Sequence, residues 1–200
     1  MQSYRKDTGV DKASSFSTVQ IVFLASIVAL DFAFGMVVKN VLSPTGLLNL
    51  VRLDMVFPVV LMMLTRLLID RRGTLLIYQL AWGMLAVLAM PAAYGLPGFL
   101  KLMPAFFQGL AYETAFCGLR RMPRLRVFAA ALAGGLVSRA VIMLLRLALG
   151  LPWSRAIVLL WGLQALNAAL INLLGAALAL YLWPRIAATH LAMRIGAAHD

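Results

Sequence analysis

The sequence predicts an all-α, polytopic integral membrane protein of six transmembrane helices with both termini in the cytoplasm. Three observations carry that prediction. Of the 200 residues, 63% are hydrophobic and only 12% charged, and the mean hydropathy is +0.92, outside the range of soluble globular domains. Apolar runs of spanning length recur along the whole chain. Lys and Arg gather in short clusters between those runs, the distribution of topogenic charge rather than of a nucleic-acid surface, despite a formal charge of +11.

The spans are expected at about 21–38, 53–70, 74–93, 102–118, 127–149 and 156–183, separated by Arg71-Arg72-Gly73, Pro97-Gly98, Arg120–Arg126 and Gly150–Pro152. Segment 1–20 is then a cytoplasmic N-terminal segment, 21–184 the six-helix transmembrane domain and 185–200 a cytoplasmic tail. The first run is too long for the apolar core of a signal peptide and reads as a retained span. With the N-terminus inside, Arg5, Lys6, Lys12, Arg66, Arg71, Arg72, Arg120, Arg121, Arg124, Arg126, Arg185 and Arg194 face the cytoplasm. Lys39, Arg52, Lys101 and Arg155 face outward, twelve against four.

The first span has two distinct faces. Ala25, Ala29 and Ala33 recur every four residues and stack along one side of a helix. Small residues at this spacing let a second helix approach closely in lipid, so they form a candidate docking surface for a membrane partner. Asp31 points about 160° away from that stripe, towards the interior. Ala130, Gly134 and Ser138 make a second small-residue stripe in the fifth span, expected to serve internal packing.

Glu113 is expected mid-span, within Gln108-Gly109-Leu110-Ala111-Tyr112-Glu113-Thr114, with Gly109 and Cys117 leaving room beside its carboxylate. An ionisable group at that depth faces a ligand cavity or a structural partner, here Arg139; Asp31 has the same two options. In the sixth span Trp161, Gln164, Asn167 and Asn172 share an arc of about 140°. An indole and amides on one face suit a planar heteroaromatic ligand, and they suit ordinary interhelical hydrogen bonding as well. Tyr78, Gln79 and Trp82 in the third span and Tyr112 in the fourth are further candidates for that cavity. Trp153 and Trp183 read as interfacial anchors, and the Lys39–Arg52 connection as a lid or a plain loop.

No P-loop and no H-E-x-x-H motif is present, and both histidines, His190 and His199, lie near the C-terminus. No nucleophile–His pair is recognisable. The reading is of a non-enzymatic protein without metal or cofactor. Cys117, the single cysteine, forms no intrachain disulfide. A concentrating transporter of this kind needs an energised partner.

Together, the A-x-x-x-A-x-x-x-A pattern of the first span, the turn Ile69-Asp70-Arg71-Arg72-Gly73, the segment Gln108–Phe116, the basic loop after it and Ala130–Gly135 resemble the substrate-binding S components of energy-coupling factor (ECF) transporters. The chain is most similar to their YkoE type, associated with thiamine or its hydroxymethylpyrimidine precursor. That family tends to carry a second acid in the third span, where this chain has Gln79. The resemblance implies a subunit of the bacterial plasma (inner) membrane that binds a vitamin-like small molecule from outside. It implies docking through Ala25, Ala29 and Ala33 on a transmembrane coupling subunit driven by two ATPases, followed by toppling to deliver the ligand. The implied substrate-binding residues are Glu113, Tyr112, Gln79, Trp82, Trp161, Gln164, Asn167, Asn172 and Asp31. The partners are lipid, the coupling subunits and the vitamin, not nucleic acid. The alternative is a membrane scaffold or assembly protein that uses the same small-residue faces.

Overall fold

A computed structural model describes residues 16–42, 55–90, 96–150, 154–190, 192 and 195. The expected N-terminal segment up to residue 15, residues 43–52 of the candidate lid Lys39–Arg52 and the proposed anchor Trp153 lie outside the described residues, while 39–42 continue the first helix. The described chain is helical throughout: α1 (Thr18–Leu42), α2 (Val56–Leu68), α3 (Thr74–Ala89), α4 (Leu102–Gly118), α5 (Pro123–Ala148) and α6 (Arg155–Ala187), with a 3-10 turn at Gly98–Lys101 before α4.

Breakers and caps set the boundaries. Pro58 and Pro104 sit in the first turns of α2 and α4, and Pro123 opens α5. There a missing N–H costs no helical hydrogen bond. Gly73 adopts φ 89°, a left-handed conformation that turns the chain sharply from α2 into α3. Ser154 caps α6, its hydroxyl accepting from the Ile157 N–H at 3.3 Å.

Among the described residues, three stretches are long and apolar enough to cross a membrane: Thr18–Val38, Pro123–Ala148 and Ile157–Ala187. Of the other three helices, α2 and α3 are shorter than the expected 53–70 and 74–93, while α4 matches the expected 102–118. The three have 13, 16 and 17 residues, or about 20–26 Å at 1.5 Å per residue, against a hydrocarbon core of about 30 Å. At the far end, α6 continues to Ala187, beyond the span expected from hydropathy. Residues after it return to the bundle. Ala192 and Ile195 are buried, and the Ile195 carbonyl accepts from the Gln20 side chain at 3.3 Å.

Packing runs around a ring: α1 on α3, α3 on α4, α4 on α5, α5 on α6, α6 on α2, and α2 back on α1. The interfaces among α3 to α6 and between α6 and α2 are extensive, and α1 is the most lightly held. The α4–α5–α6 junction depends on Gly134 and Gly135. A methyl on Gly134 would overlap the Tyr112 ring, and one on Gly135 would overlap the Asn172 amide. Gly134→Ala is therefore expected to cost about 1–3 kcal/mol by overpacking, read as a lower thermal midpoint of the detergent-solubilised protein. An unchanged midpoint would mean that the α4–α5 interface tolerates separation.

Candidate functional site

Among the described residues, the two buried acids, Asp31 and Glu113, lie in separate clusters. The first lies between α1 and α3. Asp31 is 3% exposed, and its Oδ2 accepts from the Tyr78 hydroxyl at 2.9 Å. Its Oδ1 is buried and has no hydrogen-bond partner among the described residues. Tyr78 and Tyr112 lie in the same hydrophobic core. The Tyr112 hydroxyl accepts from the Gln108 amide at 3.1 Å and donates to Asn172 Oδ1 at 3.5 Å, while Asn172 Nδ2 donates to the Ala168 carbonyl at 2.7 Å. Beside this cluster, Trp82 meets Phe32 edge to face, centroids 6.1 Å apart, and the Gln79 amide donates to Met62 Sδ at 3.0 Å.

The second cluster occupies the end of the bundle at the α2–α3 turn, and it holds Glu113. Arg66 Nη2 donates to Glu113 Oε1 at 3.1 Å, and the Leu75 backbone N–H donates to Oε2 at the same distance. Cys117 Sγ completes the set at 3.4 Å from Oε1. Both oxygens are occupied. Glu113 thus supplies, from α4, the acceptor that the first turn of α3 lacks locally, since Gly73 at the N-cap has no side chain. The carboxylate lies next to the α2–α3 turn. The space beside Gly109 is filled by the Leu76 backbone of α3. The backbone carbonyl of Arg139, the candidate partner for either acid, accepts the Trp161 indole N–H at 3.1 Å.

Arg66 also holds Asp70 Oδ1 at 2.7 Å. Its guanidinium carbon and that of Arg126 lie 4.4 and 4.5 Å from the Phe116 ring centroid, within cation–π range. Arg66 and Lys101, expected to face the cytoplasm and the outside, are both almost fully buried. Lys101 Nζ donates to the Met90 and Ala86 carbonyls at 2.8 and 3.5 Å, closing the C-terminal end of α3. The only sequence signal for either was position. Each falls at the edge of an apolar run, where a long cation can fold inward as readily as outward.

The sixth-span candidates do not converge. Asn172 is buried, Trp161 and Asn167 are half-buried and Gln164 is exposed. The first half of α6 is thinly covered, with Leu159, Leu160, Leu163 and Leu166 all exposed. The two small-residue stripes separate in the same way. Ala130, Gly134 and Ser138 of α5 are buried, whereas Ala25, Ala29 and Ala33 of α1 are all exposed.

No family model matches the chain, and no curated protein or solved structure matches it.

Proposed function

We propose that the chain is a substrate-capture subunit of an ECF-type importer in a bacterial plasma membrane. It binds a cationic, thiamine- or hydroxymethylpyrimidine-like heteroaromatic from outside and passes it inward by docking on an ATPase-driven coupling subunit. One observation carries the reading: α1 turns a smooth alanine stripe outward and a buried carboxylate with one unpartnered oxygen inward. The stripe suits close helix–helix association in lipid. A buried carboxylate without a cation costs several kcal/mol unless a proton or a cationic ligand compensates it. Asp31, rather than the fully occupied Glu113, is then the group that recognises the ligand, with Tyr78 orienting it.

The first test is stabilisation of the detergent-purified protein by thiamine, hydroxymethylpyrimidine, riboflavin and biotin. A ligand at a hundredfold excess over its Kd adds about 2.7 kcal/mol to the folded state, so one compound should raise the thermal midpoint clearly. Ala29→Leu fills the centre of the stripe; it should leave that shift intact and abolish cellular uptake. Normal uptake by this variant would remove the stripe from coupling. The scaffold reading is favoured by one feature, the engagement of Glu113 by Arg66, and it predicts that no compound shifts the midpoint.

A further inference from the structure

The α2–α3 and α4–α5 turns meet at one end of the bundle, where Arg126 Nη1 lies 3.9 Å from Asp70 Oδ1. Seven arginines fall in these two segments: Arg66, Arg71, Arg72, Arg120, Arg121, Arg124 and Arg126. The two carboxylates near them among the described residues are already engaged, Glu113 by Arg66 and Asp70 by Arg66 and Arg126. Arg72, Arg120, Arg121 and Arg124 are exposed, and no hydrogen bond or ion pair to another described residue holds their side chains. Between them, Met122 and Leu125 are 54% and 49% exposed. The N-terminus of α5 rises from the same segment with no side-chain cap and no acid in its first turn, which leaves its partial positive charge uncompensated.

We propose that this end of the bundle is a binding site for the phosphate headgroups of anionic phospholipids such as phosphatidylglycerol. Every cation in the patch is arginine, whose planar fork meets phosphate through two parallel hydrogen bonds where lysine offers a point charge. Apolar Met122 and Leu125 among the arginines select a lipid over a soluble phosphate compound, because they have acyl chain to enter beside the headgroup. Basic clusters at the ends of transmembrane helices gain about 1 kcal/mol per residue at an anionic surface. The inference rests on the membrane reading and is independent of the capture role.

The test is native mass spectrometry of the full chain in mild detergent, offered equal amounts of phosphatidylglycerol and phosphatidylcholine. The wild type should retain phosphatidylglycerol at least tenfold over phosphatidylcholine. The triple variant Arg120→Gln/Arg121→Gln/Arg124→Gln should lose that preference with its thermal midpoint unchanged, since all three side chains are exposed. Raising the salt to about 0.5 M before detergent exchange should erode the preference of the wild type without any mutation. Equal retention of the two lipids, or an undiminished preference in the triple variant, would overturn the site. Displacement of the lipid by equimolar inorganic phosphate would make it a soluble-anion site, and displacement by hexaglutamate a protein-docking site; either overturns the proposal. Carbonate washing separates the premises. Release of the chain from membranes overturns the membrane reading and this site together, while a retained chain without lipid preference overturns this site alone.

Discussion

Arg66→Met is expected to lower stability by about 3–5 kcal/mol, the cost of leaving one member of a buried ion pair unpaired. The methionine keeps most of the side-chain volume, so the loss is of charge and hydrogen bonds rather than of packing. Glu113 would then still hold the Leu75 N–H but lose its cation. The cation–π contact to Phe116 and the tie to Asp70 would go as well. Because Arg66 joins α2 to α4 across the α2–α3 turn, the damage should spread through the bundle rather than fray one end. Arg66→Met/Glu113→Gln gives the internal control. Glutamine still accepts from Leu75, neither member of the pair is then charged, and the double variant should recover more than half of the lost stability. Thermal unfolding in detergent reads both. A silent Arg66→Met, or a double variant no better than the single one, would mean that the pair does not hold the bundle together.

The helices were legible because apolar runs and breakers carry their signal locally. Each of the six expected runs coincides with one helix, and the 3.6-residue repeat alone places Asp31 inward and Ala29 outward. What hydropathy could not supply was where the third dimension takes a long side chain. Arg66 and Lys101 read as boundary charges, yet each folds back to satisfy a helix end, one through Glu113 and one directly on carbonyls. The partners of Glu113 were hidden for a related reason. The α4 register is set by how closely Gly109 approaches α3, a contact that no local pattern reveals. A helical wheel likewise puts Gln164 and Asn172 in line without showing that neighbouring helices cover only one of them. Burial of Ile195 against the start of α1 joins residues 175 positions apart and has no local signature.

Asp31→Asn separates recognition from folding. Asparagine keeps an oxygen for the Tyr78 hydroxyl, so the fold should survive. Removing a buried carboxylate with an unpartnered oxygen should leave the empty protein equally stable or more so. A cationic ligand would lose a charge-assisted hydrogen bond in a site screened from water, worth about 2.7 kcal/mol or a hundredfold in Kd. Glu113→Gln makes the opposite prediction. Its carboxylate is held by Arg66 and Leu75, so the variant should lose stability and keep its affinity once folded.

The deciding measurement is therefore calorimetric titration of thiamine and hydroxymethylpyrimidine into the wild type, Asp31→Asn and Glu113→Gln, each purified as the full chain. Tight binding of one compound to the wild type and to Glu113→Gln, about a hundredfold weaker in Asp31→Asn, is the predicted result. Equal affinity in Asp31→Asn, or binding lost only in Glu113→Gln, would contradict it and return the recognition role to the α2–α4 end of the bundle.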